Sequence, residues 1–280
     1  MRYGLSSKEL TPAMLVGLLA EMAEERPRGR LTLGIRDDLS DSSVTYDDTL
    51  DIEPDTVRRA VFWGLGSDGT VGAAKNTIKI IGEEAGLEAQ GSFVYDSRKA
   101  GARTISHLRF GPDPIRSAYL IGRAEFVGVH QFDFFWRYDV LDRAAHGATV
   151  LINAPYPASE VWEHLPEEAQ RVIRERELTL WTIHADALAE EMELGPRINT
   201  IMQACFFALT DVVPREDAFA KVREAIRTTY GARGEAIVRR NLAAVDAATD
   251  HLARVEIPGD GRLRRRPSAH RRAGRAGLRP

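Results

Sequence analysis

A glycine-rich turn at residues 64–69 is the segment whose residue types and spacing are best suited to chemistry. Its sequence, Gly64-Leu-Gly-Ser-Asp-Gly69, fits the pattern G-x-G-x-x-G, follows a predicted strand and opens a predicted helix. Glycines let the backbone approach a phosphate, and the free N–H groups of a helix N-terminus bind the anion. The pattern therefore predicts either a dinucleotide site, with Asp96 as the acid that binds a ribose, or a tight turn without a ligand.

The residues around this turn modify the prediction. Asp68 lies inside the turn, where its carboxylate would repel a pyrophosphate unless the side chain points elsewhere. Several cationic or titratable residues follow the turn in the sequence, and such residues near a helix N-terminus suit a ligand with several phosphates. They are Lys75, Lys79, Arg98, Lys99, His107 and Arg109. The alternative for each of them is a solvated surface position.

Two amides and a few other polar side chains complete the candidates. Asn199 and Asn241 lie on predicted helices beside apolar stripes, so each is either a helix-end polar residue or a ligand contact. Cys205 lies within an apolar helix and is predicted to pack as a small hydrophobic residue. Three histidines show no metal-ligand spacing and are predicted to be hydrogen-bonded residues of the fold. They are His107, His130 and His184.

Strands that alternate with helices from residue 56 onward predict an α/β fold with a mostly parallel sheet covered on both faces. The predicted strands are 57–64, 89–95, 103–109, 125–129, 148–153 and 178–183. The predicted helices are 70–84, 133–145, 159–176 with a break at Pro166, 185–192, 197–210, 215–229 and 234–254. The last third is thus helical and would pack around the sheet. Before the sheet, 10–23 is predicted as a helix and 30–35 as a strand.

The amino-acid composition excludes several classes of protein and of site. The chain has 280 residues, of which 44% are hydrophobic, and a single cysteine. A disulfide framework, an iron–sulfur cluster and a cysteine-rich zinc site built by this chain alone are therefore excluded. The sequence has no apolar run near the roughly 18 residues of a membrane span and no apolar signal core. A cytoplasmic protein with no membrane partner is expected.

Charge is unevenly distributed. The net charge of −3 divides into about −10 for residues 1–257 and +7 for 258–280, a tail with eight arginines and one acidic residue. We predict that this tail is disordered, because it has almost no apolar residues to bury. Nucleic-acid binding by the tail is a weak alternative, since no aromatic side chain is interleaved with the arginines. The acidic stretch 37–55 is predicted to be a solvated linker between domains.

Longer motifs resemble one family, pyruvate:ferredoxin (flavodoxin) oxidoreductase. Residues 3–14 resemble the end of its transketolase-C-terminal-like domain, and Gly64–Gly72 with 75–82 resembles the opening of its gamma domain. Further segments match in the same order, over about residues 3–254. They are 93–97 with Lys99, 106–111, 139–141, 155–166, 197–203 and 241–246. Ala74 departs from the family, which usually has Asn there.

The resemblance implies a domain organisation and a site. It implies the end of a transketolase-C-terminal-like domain at 1–36, the linker at 37–55, a gamma domain with a three-layer fold at 56–257 and the tail at 258–280. The family converts pyruvate and coenzyme A to acetyl-CoA and carbon dioxide, and the gamma domain is the part associated with coenzyme A. The implied coenzyme A contacts are Ser67, Asp68, Gly69, Thr70, Val71, Lys99, Asn199 and Asn241. No residue of this chain is predicted to be catalytic.

The same resemblance implies partners outside this chain. Thiamine diphosphate and [4Fe-4S] clusters belong to domains that the sequence lacks, and ferredoxin or flavodoxin accepts electrons from the whole enzyme. We therefore expect an internal segment of a longer enzyme, completed by other domains or subunits. The alternatives are a nicotinamide-dependent dehydrogenase that uses the glycine turn, and a truncated, non-catalytic product. We interpret the basic tail as an out-of-frame extension.

Overall fold

A computed structural model of the chain describes residues 2–3, 9–35, 39–66, 68–96 and 102–259. Within these ranges, seven strands form one sheet and two very short strands form a separate parallel pair. The strands are β1 (Arg2–Tyr3), β2 (Thr32–Leu33), β3 (Arg58–Leu65), β4 (Glu88–Tyr95), β5 (Arg103–Gly111), β6 (Ala124–Val129), β7 (Ala144–Asn153), β8 (Thr179–Ile183) and β9 (Ala253–Arg254). The α-helices are α1 (Pro12–Met22), α2 (Thr70–Glu84), α3 (Ala158–His164), α4 (Glu167–Glu175), α5 (Ala185–Glu191), α6 (Asn199–Leu209), α7 (Arg215–Tyr230) and α8 (Glu235–Ala248).

The seven-stranded sheet has the order β4-β5-β3-β6-β7-β8-β9. Strands β3, β6, β7 and β8 are parallel neighbours, and β4 points in the same direction because both β4 and β3 are antiparallel to β5. The other antiparallel strand is β9, at the far edge. The predicted mixed α/β fold with a mostly parallel sheet is therefore confirmed.

Helices cover both faces of the sheet. One face packs against α2, α5, α6, α7 and α8, in a core that contains Phe62, Leu108 and Phe206. The other face packs against α3, α4 and a short 3₁₀ helix, in a core that contains Val127 and Ile152. Apolar residues on both faces explain why the central strands are almost continuously buried. This arrangement is the predicted three-layer architecture.

Two predicted helices are wrong in extent. In place of a helix over 133–145, a 3₁₀ helix spans Phe132–Trp136 and β7 already begins at Ala144. Phe134 and Phe135 of this 3₁₀ helix are both buried, in the same core as Val127 and Ile152. The last helix ends at Ala248 instead of 254, and β9 then pairs with Trp181 and Thr182 of β8.

The acidic stretch is not wholly solvated as predicted. Glu53 is buried and accepts hydrogen bonds from the Arg109 Nε atom at 2.7 Å and from the Ser117 hydroxyl at 3.0 Å. Val44 also packs in a small core with Leu33. A carboxylate with a buried cationic partner holds this segment on the sheet, so the prediction of a solvated linker is wrong at these positions. Residues 260–280 of the predicted disordered tail lie outside the described residues.

Among the residues that the structure describes, no helix is both long and apolar enough to cross a membrane.

Candidate anion-binding site at the glycine turn

The glycine turn joins the end of β3 to the start of α2, and Asp68 organises it. One carboxylate oxygen of Asp68 accepts a hydrogen bond from the Leu65 N–H at 2.8 Å. The other accepts bonds from the Thr70 N–H at 2.8 Å and the Thr70 hydroxyl at 2.6 Å. The carboxylate therefore points back into the turn, and its charge is balanced by donors of the turn itself. The negative charge of Asp68 stays beside the turn, but both carboxylate oxygens face donors of the turn.

Two glycines permit this geometry. Gly69 has a φ of +87°, which a residue with a β-carbon rarely adopts, and it precedes the first residue of α2. A β-carbon on Gly69 would also lie 2.9 Å from Cγ of Asn199. At Gly64, the side chain of Thr70 occupies the space that a β-carbon would need. The turn thus brings bare backbone of the α2 N-terminus beside the amide of Asn199.

A small cavity of about 10 Å³ lies behind this turn, between α2 and α6. It is lined by Phe62, Thr70, Ala73, Ala74, Thr77, His130, Asn199, Gln203 and Phe206. Gln203 closes the inner side, because its amide donates to the Thr77 hydroxyl at 2.9 Å and to the Ala73 carbonyl at 3.3 Å. A space of this size holds about one water molecule and is too small for a nucleotide-sized ligand.

His130 is the buried end of the same cluster. It follows β6 directly, and its Nδ1 atom lies 2.8 Å from the Thr70 hydroxyl oxygen. Burial lowers the pKa of His130, although Asp68 and Asp186 act in the opposite direction. The prediction that His130 is hydrogen-bonded is confirmed. Sequence reasoning did not connect it with the turn, because residues 60 positions apart meet only through the sheet.

The other two histidines differ from His130. His107 is buried, and neither ring nitrogen has a hydrogen-bond partner among the described residues, so the prediction of a hydrogen-bonded side chain is wrong there. Burial, with the charges of Arg143 and Arg109, lowers the pKa of His107 to about 3. His184 is exposed and precedes α5.

Most of the predicted cations are not gathered at the turn. Arg109 is buried with Glu53. Thr104 of β5 pairs with Gly64 of the turn, and Arg109 lies five residues further along β5, which is about 17 Å away. Lys79 pairs with Glu83 on the surface of α2, and Lys75 lies 5.6 Å from the ring centre of Phe93. The prediction of a cationic cluster is therefore wrong for Arg109 and Lys79, and it stays a prediction for Lys75. Arg98 and Lys99 lie outside the described residues.

The residues predicted to contact coenzyme A fall into three groups. Asp68, Gly69, Thr70 and Val71 share the turn and the first residues of α2, and Asn199 faces them from α6. Ser67, like Lys99, lies outside the described residues.

Asn241 is placed differently. It is 1% exposed within α8, donates to the Ile237 carbonyl of its own helix at 2.8 Å and does not line the cavity. Its Oδ1 atom is buried, with no hydrogen-bond partner in the described part of the chain.

Strand order argues against a nicotinamide site of the usual kind. In such sites the acid that binds the ribose follows the parallel strand next to the glycine turn. Asp96 instead follows β4, and the antiparallel β5 lies between β4 and β3, so the two strands are about 10 Å apart.

The donor set does not suit a metal or a cluster. In the ranges described, no three His, Cys, Asp or Glu residues are grouped so that they could hold a metal ion. Cys205 packs in the core as predicted, and burial raises the pKa of its thiol to about 12. A four-iron cluster needs several accessible thiolates, and one buried thiol cannot supply them.

The model of the family described as pyruvate ferredoxin/flavodoxin oxidoreductase matches residues 59–251. The chain belongs to this family. Its match includes the glycine turn, the whole seven-stranded sheet except the start of β3 and all of β9, and the helices that carry Asn199 and Asn241.

Relatives in the pyruvate ferredoxin/flavodoxin oxidoreductase family are much longer than this chain. The chain is 53% identical to a pyruvate-flavodoxin oxidoreductase of Nostoc sp. over 92% of its own length, which is 21% of the relative. It is 42% identical to the pyruvate:ferredoxin oxidoreductase of Moorella thermoacetica over 92% of the chain and 22% of that protein. The chain thus spans about a fifth of the length of these oxidoreductases.

Solved structures agree on the fold. The pyruvate oxidoreductase subunit PORC of Thermotoga maritima matches with a TM-score of 0.55 and 15% identity, over 72% of this chain and 99% of the subunit. A 2-oxoglutarate:ferredoxin oxidoreductase of Magnetococcus marinus, solved with 2-oxoglutarate, coenzyme A and succinyl-CoA bound, matches with a TM-score of 0.54 and 15% identity. That match covers 70% of this chain and 31% of the other, and at such identity it shows the fold alone.

Proposed function

We propose that this chain is the coenzyme A-binding gamma segment of a pyruvate:ferredoxin/flavodoxin oxidoreductase. The observation that carries the proposal is the close approach of Gly69, at the N-terminus of α2, to the amide of Asn199. Bare backbone N–H groups at a helix N-terminus attract the phosphates of coenzyme A, and an amide beside them can orient the ligand by donating and accepting hydrogen bonds. The coenzyme A bound in the related Magnetococcus enzyme supports the choice of ligand.

The share of this segment in the reaction is to bind and orient coenzyme A. The whole enzyme converts pyruvate and coenzyme A to acetyl-CoA and carbon dioxide, with thiamine diphosphate and [4Fe-4S] clusters in domains outside this chain. Decarboxylation and electron transfer to ferredoxin or flavodoxin take place in those domains. The single buried thiol of this chain is consistent with that division of labour.

The partners of the segment are the remaining domains or subunits of the oxidoreductase. Helix α1 packs against Leu33 through Met14 but leaves Leu19 and Met22 63% and 61% exposed. An apolar helix face of this kind is typical of a protein interface. We propose that residues 1–36 complete a transketolase-C-terminal-like domain and that the remainder of that domain covers this face.

Calorimetric titration of the purified full chain tests the proposed ligand. Coenzyme A is expected to bind in a saturable, one-to-one manner, whereas NAD is expected to give no heat of binding. Dephospho-coenzyme A, which keeps the diphosphate but lacks the 3′-phosphate, distinguishes contacts of the turn with the diphosphate from contacts elsewhere. Binding of NAD without binding of coenzyme A would contradict the proposal and support the nicotinamide alternative.

A further inference from the structure

A continuous series of hydrogen bonds joins His130, at the carboxyl end of the central strand β6, to the glycine turn. The Nδ1 atom of His130 lies 2.8 Å from the Thr70 hydroxyl oxygen, which lies 2.6 Å from Asp68 Oδ1. Asp68 in turn accepts the N–H groups of Leu65 and Thr70. The position of the Asp68 carboxylate is thereby linked to an imidazole that does not itself reach the surface.

The donor of each hydrogen bond between His130, Thr70 and Asp68 can be assigned from the chemistry of the three side chains. An ionised carboxylate only accepts hydrogen bonds, so the single hydroxyl proton of Thr70 is donated to Asp68. Nδ1 of His130 must then donate to the Thr70 oxygen. Burial favours the neutral imidazole, which places its one ring proton on Nδ1. His130 therefore donates to Thr70, and Thr70 donates to Asp68, so the hydrogen bonds all point from the core towards the turn.

His130 is itself held firmly at the ends of the parallel strands. Its backbone N–H donates to the Trp63 carbonyl at 2.9 Å, and its carbonyl accepts the Asn153 amide at 3.0 Å. Asn153, the last residue of β7, also donates to Asp186 of α5 at 2.8 Å. The His130 ring packs edge-on to Phe62. Because three strands and a helix fix this residue, the ring can impose a geometry on Thr70.

We propose that His130 is a positioning residue for the ligand site: through the Thr70 hydroxyl it keeps the Asp68 carboxylate turned into the glycine turn. An outward rotation of Asp68 would place a negative charge where a phosphate approaches and would leave the Leu65 and Thr70 N–H groups without their acceptor. The inference rests on the proposed function for its ligand. It extends the site by a residue outside the turn and outside α6.

Matched substitutions at both ends of one hydrogen bond test the role. His130→Leu and Thr70→Val each remove the bond, whereas His130→Asn keeps a donor near Nδ1 and Thr70→Ser keeps the hydroxyl. One hydrogen bond of this type corresponds to about a 10-fold change in affinity, so the first two variants should weaken coenzyme A binding by about that factor. The double variant should bind about as well as either single one, because both disrupt the same chain.

A second measurement does not depend on coenzyme A. Hydrogen exchange at the Leu65 and Thr70 amides, followed by NMR, reports whether Asp68 still accepts their N–H groups. Exchange should accelerate in His130→Leu and Thr70→Val, and should remain close to wild type in His130→Asn. His107→Leu is the control, since His107 is also a buried histidine of this sheet but its ring has no hydrogen-bond partner among the described residues, and it should leave both the dissociation constant and these amides unchanged.

The outcomes separate this inference from the proposed function. If wild-type chain binds no coenzyme A, the proposed function fails, and amide protection alone decides whether His130 holds the turn. If His130→Leu lowers the melting temperature but leaves both coenzyme A affinity and amide protection as in wild type, His130 is merely structural and the inference is overturned. Should His130→Leu fail to fold, His130→Phe removes the same Nδ1 donor, keeps an aromatic ring beside Phe62 and gives the same decision.

Discussion

The backbone of Gly69 lies so close to the side-chain amide of Asn199 that a β-carbon at this glycine would be 2.9 Å from Asn199 Cγ. This contact joins the N-terminus of α2 to the first residue of α6, which belong to segments 130 residues apart in sequence. Two separate requirements therefore meet at Gly69, a positive φ of +87° and the absence of a side chain.

Gly69→Ala should disturb both features at once. The left-handed conformation costs alanine about 1 kcal/mol, and Asn199 must move to make room. We expect a lower melting temperature and at least about a 10-fold weaker affinity for coenzyme A, measured by calorimetry. The control is Gly72→Ala on the exposed side of α2, where a β-carbon meets nothing within 4 Å and should stabilise the helix by about 0.5–1 kcal/mol. Equal coenzyme A affinity in both variants would exclude Gly69 from the site.

Much of the scaffold of this site could be predicted from sequence, because local signals agree with the fold there. The strand before Gly64 is apolar, the turn is glycine-rich, and α2 follows with an alternation of buried and exposed positions. The direction of the Asp68 side chain could not be predicted from the sequence. It depends on hydrogen bonds that involve Thr70 and His130, and His130 lies beside the turn only because β3 pairs with β6.

The errors have a common physical origin in tertiary packing. The charge on Arg109 indicated a phosphate contact, but burial against Glu53 assigns it to the fold. The sequence over 133–145 indicated an α-helix. In the structure only a 3₁₀ helix forms there, over Phe132–Trp136, and its Phe134 and Phe135 pack into the core on one face of the sheet. Single charges and short apolar periods carry little information about which distant segment they meet.

The buried Arg109–Glu53 pair predicts a large cost when one partner is lost. Arg109 also donates to the Gln90 side chain at 3.1 Å and the Tyr119 carbonyl at 2.8 Å, so each of its three guanidinium nitrogens has an acceptor. Arg109→Leu leaves the Glu53 carboxylate buried without a counter-charge, which should lower the free energy of unfolding by about 3–5 kcal/mol in urea titration. Lys79→Ala, in the exposed pair with Glu83, is the control and should cost little. Equal effects at the two sites would contradict the assigned role of Arg109.

His107 predicts a loss of stability in mild acid. Its pKa falls from an ordinary 6.5 to about 3 on folding, so between these values the unfolded chain binds more protons and stability decreases as the pH falls. At pH 5 this difference amounts to about 2 kcal/mol relative to neutral pH. His107→Leu should remove that part of the pH dependence in urea titrations at pH 7 and pH 5. His146→Gln, at an exposed histidine, should retain it, and an unchanged slope in His107→Leu would show that His107 is protonated in the folded chain.

Asn241 offers a test in which stability and binding should change in opposite directions. Its Oδ1 atom is buried without a hydrogen-bond partner in the described residues, and its amide bonds only within α8. Asn241→Leu replaces a polar group by an apolar one of similar volume, so the free energy of unfolding should stay equal or rise by about 1–2 kcal/mol. The family resemblance implies a contact of this amide with coenzyme A, for which its unpartnered Oδ1 atom is the available acceptor, so coenzyme A affinity should nevertheless fall. A more stable variant with unchanged affinity would remove Asn241 from the site, whereas a less stable variant would show that the polar side chain is needed by the fold itself.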